Sequence, residues 1–236
     1  MKLYDIHLTH FPEVLGISLL ELRAGERILL LGHSGCGKTS LLKIIAGFSE
    51  PAEGHIDDEG QRCGILLQNP YHQIIMQNVH DELFFPQKNA GKSTKEAEAA
   101  IAEIVEILGI KSLLQHDIPT LSFGEIQLVM IAATCLTGAD IILMDEPTSH
   151  LDYPTIKACY RCMDMLAARG KTVCVVSQTP DEYRFFDTVW IMKEGKIIAR
   201  LSAAEFSEHY EKYDIVLDNK LIMNRLHDTK YSRAGE

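Results

Sequence analysis

The octapeptide Gly32-His33-Ser34-Gly35-Cys36-Gly37-Lys38-Thr39 follows the apolar run Ile28-Leu29-Leu30-Leu31 with no spacer between them. It fits the phosphate-loop pattern G-x-x-x-x-G-K-[ST] without a mismatch, and the context that the pattern demands is present on both sides. A buried strand over 28–31 precedes it, and the apolar-periodic stretch 40–46, closed by Gly47, reads as a helix after it. The glycines let consecutive N–H groups converge on phosphate oxygens, and the helix N-terminus adds its partial positive charge. Within this pattern Lys38 reaches the β- and γ-phosphates and the Thr39 hydroxyl faces Mg²⁺. A strand, loop and helix of this kind imply an α/β fold that binds a nucleoside triphosphate.

At 236 residues the chain can bury a sizeable core, and its 46% hydrophobic and 24% charged residues are ordinary for a soluble globular protein. A formal net charge of −10 argues against a sequence-independent grip on nucleic acid, which needs a basic face. No apolar stretch approaches the ~20 residues that cross a bilayer. The opening residues 1–7 lack the apolar core of a secretion signal, so a membrane role is expected to run through a partner. The six cysteines (36, 63, 135, 159, 162 and 174) read as reduced thiols. Only Cys159 and Cys162 are close, and no second pair or histidine pair completes a zinc spacing.

Residues 53–60 carry a hairpin signal, with 63–67 as a buried strand after it. From about 90 to 135 the chain reads as helical. Its clearest helix spans 95–108, rich in Ala, Glu and Ile at helical spacing, and Gly109 ends it. The short apolar runs 141–144 and 172–176, flanked by helical segments, fit a mostly parallel sheet covered on both faces. A last hairpin strand over 196–200 and polar helical material close the chain.

The strand over 141–144 runs straight into Asp145-Glu146-Pro147-Thr148-Ser149. In phosphate-loop enzymes an acidic residue at such a strand end holds the Mg²⁺ shell, a role that suits Asp145. Glu146 is then placed to orient and polarise an attacking water.

In order, these motifs resemble the nucleotide-binding subunit of an ATP-binding cassette (ABC) ATPase. Leu121-Ser122-Phe123-Gly124-Glu125 resembles the family signature Leu-Ser-Gly-Gly-Gln, with Ile126-Gln127 opening the following helix. Residues 141–146 resemble Walker B, Ser149-His150-Leu151-Asp152 resembles the D-loop, and Gln68 falls where the family has its Q-loop. The resemblance covers about residues 1–205. It implies a RecA-like P-loop NTPase core (about 1–68 and 136–205) with an antiparallel β-subdomain and an inserted α-helical subdomain (about 69–135). Together these form an ATP-binding domain over 1–210, followed by a helical tail over 211–236. It also implies ATP and Mg²⁺ as cofactors. The loop from Gly32 to Ser40, with Ser122, Gly124, Glu125 and Asp152, would bind nucleotide. Thr39, Gln68 and Asp145 would hold the metal, and Glu146, Gln68 and Gln178 would serve hydrolysis. In this family two subunits sandwich ATP head to tail, so a second ATPase subunit, identical or related, is an implied partner.

A narrower likeness lies in Gln68-Asn69-Pro70-Tyr71-His72-Gln73 and the acidic-aromatic stretch 79–85, which is similar to energy-coupling factor (ECF) ATPases. That implies an ATPase at the cytoplasmic face of the membrane, driving uptake of a vitamin, cobalt or nickel through an integral membrane subunit docked beside the Q-loop. An ATPase of another ABC transporter branch, and a soluble non-transport ABC ATPase, share the same motifs. Three positions depart from the family. Gln178 stands where a His usually contacts the γ-phosphate, and an amide carries neither a proton nor a charge there. Phe123 replaces the first signature glycine, and Leu128 stands where Arg is common. These departures suit one half of an asymmetric pair. Phe11 is the candidate to stack on adenine, or else a core residue.

Overall fold

The computed structural model describes residues 1–8 and 19–217. In chain order, β1 (Lys2–His7) and β2 (Leu19–Glu21) are followed by β3 (Arg27–Leu31), α1 (Lys38–Ile45), β4 (Glu53–Asp57) and β5 (Cys63–Leu66). Helices α2 (Val79–Asn89), α3 (Thr94–Leu108) and α4 (Phe123–Cys135) come next, before β6 (Ile141–Asp145), α5 (Tyr153–Ala168) and β7 (Thr172–Val176). The last elements are β8 (Thr188–Lys193), β9 (Lys196–Ser202) and α6 (Ala203–His209).

Every residue of β6 and β7 is buried. The reason lies in how the sheet is covered. Its six strands run in the order β5-β6-β7-β3-β8-β9, parallel except for the β8–β9 hairpin. Alternate side chains serve opposite faces. Leu29, Ile142, Met144, Val173 and Val175 pack with the helical layer of α4 and α5. Ile28, Leu30, Leu143, Cys174 and Trp190 pack with α1 and with the antiparallel sheet β2-β1-β4. A strand buried on both faces has no polar alternation, which is why these runs read as continuously apolar. Replacing one such Leu or Ile with Ala would cost about 2–5 kcal/mol.

α3 forms where its composition says it should. Ser93 and Glu96 make a reciprocal capping box at its start, and Gly109 ends it in the left-handed conformation. Two expectations are corrected. Residues 53–60 do not pair with the strand that follows: β4 joins β1 in the antiparallel sheet, whereas β5 joins β6 in the parallel one. The turn itself is present, with Asp58 accepting from Gly60 N and Gln61 N, but the chain uses it to pass between sheets. Helix also begins earlier than position 90, because α2 accommodates Pro86 in its interior. Of the tail expected over 211–236, Tyr210–Tyr213 is a 3₁₀ turn, 214–217 are not helical and the remainder lies outside the described residues. Among the described residues no helix is long and apolar enough to cross a membrane, the six cysteines are free thiols, and no group of three His, Cys, Asp or Glu side chains is arranged to hold a metal.

Candidate functional site

Adjacent parallel strands bring their carboxyl ends to one edge of the sheet, the usual place for ligands in such folds. The phosphate loop leaves β3, Gln68 follows β5, Asp145 and Glu146 end β6, and Gln178 follows β7. They meet in a cleft of about 310 Å³ lined by Ser34, Gly35, Gly37, Lys38, Thr39, Ser40, Gln68, Asp145, Glu146 and Gln178.

The loop's shape is fixed by two glycines. At Gly32 a Cβ would sit 2.3 Å from the Met192 carbonyl oxygen on β8, so only glycine fits against that strand. Gly37, at φ 106°, precedes α1 and offers no side-chain cap. The first amides of α1 therefore have no partner in their own helix and face the cleft, which is an anion site. Lys38 is 6% exposed, and its ammonium donates to the Gly32 and His33 carbonyls at 2.6 and 2.9 Å. His33, Ser34, Gly35 and Thr39 are exposed, whereas the Cys36 side chain is buried in the core beneath the loop. The backbone of Cys36 is itself engaged, its amide donating to the His33 carbonyl and its carbonyl accepting from Gly195 N.

The carboxylates face this loop across the cleft. Thr39 Oγ1 donates to Asp145 Oδ2 at 2.6 Å. Burial raises the Asp145 pKa above its ordinary value, the Thr39 bond opposes that rise, and the neighbouring Glu146 adds to it. Glu146 sits at φ 51°, a left-handed conformation that a non-glycine residue seldom adopts. Its amide donates to the Val176 carbonyl. Gln68 Nε2 donates to Glu146 Oε2 at 3.3 Å, and Gln178 Nε2 donates to Glu146 Oε1. Two amides thus hold one carboxylate from neighbouring strand ends.

The structure does not bring the signature into this cleft. Ser122 caps α4, which starts at Phe123 rather than near Ile126, and the Glu125 carboxylate folds back to accept from Ser122 N and Oγ at 2.8 and 2.7 Å. Those bonds lower the Glu125 pKa. Asp152 likewise caps α5, accepting from Thr155 N. Phe123 lies between Tyr71 and His150, with ring centroids at 6.0 and 5.7 Å, so the departure from glycine is absorbed in an aromatic contact at the start of α4. Leu128 is half-buried against the helical core. Phe11 lies outside the described residues.

Several positioning side chains had no reading of their own in the sequence. Gln73 bridges Leu67 N and the Ile65 carbonyl, splicing the end of β5 to the loop that carries Gln68. Asn69 caps the 3₁₀ turn between them. Buried Glu82 accepts from the amides of Ile75 and Met76. These bonds give the Gln-Asn-Pro-x-x-Gln and acidic segments a structural reason. Beside them runs a groove of about 290 Å³ whose walls include Ile65, Ile75, Phe85 and Met130. Gln127 and Glu182 are buried polar residues tied to the turn after Glu146. Their partners lie 20 and 34 residues away, and no local pattern announces them.

A P-loop, an acidic strand end and this sheet order define a nucleotide-hydrolysing P-loop protein. The family model described as ABC transporter matches residues 16–149. The chain is 29% identical over 205 residues to the energy-coupling factor transporter ATP-binding protein EcfA2 of Streptococcus sanguinis, covering 79% of this chain and 73% of that protein. It is 30% identical over 196 residues to the cobalt import ATP-binding protein CbiO of Syntrophus aciditrophicus, covering 78% and 70%. Two other relatives are longer, and the chain spans only 26% and 34% of them. In fold it is similar to cbiO1 of Clostridium perfringens, titled part of the ABC transporter complex cbiONQ, with a TM-score of 0.76, 21% identity and 98% of each chain covered. The chain belongs to the ABC transporter family. It is an ATP-binding, ATP-hydrolysing cassette.

Proposed function

We propose that this chain energises import through an ECF-type membrane complex, working at the cytoplasmic face of the membrane as one of two ATPase subunits. The observation that carries the hydrolytic half of this reading is the pair of hydrogen bonds that hold Glu146 at the cleft edge, from Gln68 and Gln178, opposite the phosphate loop. The loop amides from Gly35 to Ser40 and the Lys38 ammonium bind the triphosphate, and Glu146 orients the water that attacks the γ-phosphate. Gln178 contributes an amide bond where a histidine would contribute charge, so the site works slowly.

The donors around Thr39 fit a magnesium ion. Thr39 and Gln68 supply neutral oxygens and Asp145 a buried carboxylate, all of the hard type that Mg²⁺ prefers. Burial disfavours the charged form of Asp145, which a cation would offset. Because no three acidic or imidazole side chains converge among the described residues, the remaining ligands would be phosphate oxygens and water. Held by Thr39, Gln68 and Asp145, such an ion would supply positive charge to offset that of the phosphates.

Residues 1–68 and 136–205 act as the RecA-like core, and the inserted helices over 69–135 carry the signature to a partner subunit's nucleotide. The exposure of Ser122 and Phe123 at the start of α4 supports this, since a helix N-terminus at the surface suits a phosphate. The membrane subunit docks in the apolar groove beside the Q-loop, where Ile75 is largely exposed. The names of the relatives point to ECF and cobalt import systems. Purification of the tagged chain from solubilised membranes tests the reading. Recovery with an integral membrane subunit and a second ATPase supports it, and recovery only from the soluble fraction overturns it.

A further inference from the structure

The carboxylate of Glu182, in the 3₁₀ segment Pro180–Phe185, is 2% exposed, as enclosed as that of Asp145 in the site itself. Burying a carboxylate is costly unless it is well hydrogen-bonded, so its surroundings call for an explanation. Its Oε1 accepts from Thr148 Oγ1 at 2.7 Å. Burial pushes its pKa up, and the neighbouring Ser177, Thr148 and Tyr160 hydroxyls oppose that rise. Oε2 and the Tyr160 hydroxyl have no well-aligned partner, so the group is only partly satisfied. Thr148, Ser177 and Tyr160 are themselves buried.

The placement of these partners is the point. Thr148 stands two residues beyond Glu146, in the turn that Ser149 closes by donating to the Glu146 carbonyl. Ser177 directly precedes Gln178, and its hydroxyl accepts from Thr179 N. Glu182 lies four residues beyond Gln178, with its own amide donating to the Thr179 carbonyl at 3.2 Å, so the Thr148 bond links both loops whose tips meet in the Gln178–Glu146 hydrogen bond. We propose that Glu182 is a positioning residue for hydrolysis: by tying Thr148 to the segment that follows Gln178 it sets the distance between Glu146 and Gln178 at the γ-phosphate end of the cleft. This rests on the reading of Glu146 given above. Among the described residues Glu182 makes no hydrogen bond to the phosphate loop, so nucleotide binding should be insensitive to it and the chemical step should not.

The test is single-turnover ATP hydrolysis and equilibrium binding of a fluorescent ATP analogue, with the full chain carrying Glu182→Ala, Glu182→Gln, Thr148→Val or Glu146→Gln. In Glu182→Gln the amide oxygen still accepts from Thr148, so hydrolysis should stay within twofold of the parent. Glu182→Ala should slow hydrolysis at least tenfold, and Thr148→Val at least threefold, with analogue affinity within twofold in both. Should Glu182→Ala fail to fold, Thr148→Val and Glu182→Gln decide the matter alone. Parental rates in both Glu182→Ala and Thr148→Val overturn the proposal, as does a loss of affinity matching the loss of rate. Parental hydrolysis by Glu146→Gln would instead overturn the underlying reading of Glu146.

Discussion

Gln127 donates from its buried side-chain amide to the carbonyl oxygen of Pro147 at 3.0 Å. The helix that opens at Ser122 is thereby fastened to the turn that immediately follows Glu146. The same turn is held from the far side by Glu182 through Thr148. The left-handed conformation of Glu146 is thus supported through the next two residues from two packed elements, which is how such a conformation persists.

Removing the first of these ties has a calculable cost. Gln127→Leu leaves the Pro147 carbonyl without its donor, a loss of about 1–3 kcal/mol for a buried group. The amide oxygen of Gln127 has no partner of its own, so its removal recovers part of that. A net destabilisation of about 1 kcal/mol is expected in urea titrations, read as a lower midpoint at unchanged slope.

The acid at the strand end is expected to separate binding from chemistry. Glu146→Gln keeps an oxygen that can accept from Gln68 and Gln178 but loses the basicity to polarise water. Hydrolysis should fall by about 10²–10⁴-fold with ATP affinity retained. Phosphate release at the parental rate in a single-turnover assay would remove Glu146 from that role.

Gln178 donates to Glu146 and so competes with water for its Oε1. An imidazole there can carry charge toward the γ-phosphate, and Gln178→His is expected to raise turnover by about tenfold, on the order of one well-placed charged hydrogen bond. Steady-state turnover beside the parent measures it. No gain would show that the amide is already compensated.

How legible was all this in the chain? The phosphate loop and the acid after β6 were legible because each needs particular residue types in unbroken sequence, next to a strand that must be apolar on both faces. Gln68 and Gln178 follow once the strands are placed. Glu182 and Gln127 were not legible, since their meaning lies in partners brought near only by the order of strands. The segment 53–60 misled for a related reason. Asp58-Glu59-Gly60 dictates a turn, but a turn does not say which sheet receives the next strand. Pro86 similarly hides α2, whose Val79 and Leu83 are fully buried core residues.

Away from the site, pH dependence should reside in the Arg27 cluster. Arg27 donates to Asp187 from its backbone N, Nε and Nη2, and also to Asp164. These Arg27 hydrogen bonds lower the Asp187 pKa. A lowered acid stabilises the fold above its unfolded pKa, near 3.9, and loses that contribution as pH falls through the lower folded value. The pair is partly solvated, so its share is under about 1 kcal/mol. Thermal unfolding of Asp187→Asn should match the parent at low pH and fall below it toward neutrality. Equal melting of the two at neutral pH would show that solvent screens the pair completely.

Two glycine substitutions distinguish what the chain needs for itself from what it presents to another subunit. Gly32→Ala places a Cβ 2.3 Å from the Met192 carbonyl and 2.7 Å from the Cys36 thiol, so the loop must shift and ATP binding should be lost. Gly124→Ala meets only the Leu151 side chain, at an ordinary 3.7 Å. Nothing in the chain's own packing forbids that methyl, and stability should change by less than about 0.5 kcal/mol. If the backbone at Gly124 approaches the nucleotide of a partner subunit, the methyl will nonetheless obstruct closure. ATP turnover should then drop by about tenfold or more at unchanged melting temperature, with ATP binding to the isolated chain intact. Unchanged turnover in Gly124→Ala would mean that the first turn of α4 does not meet phosphate across an interface.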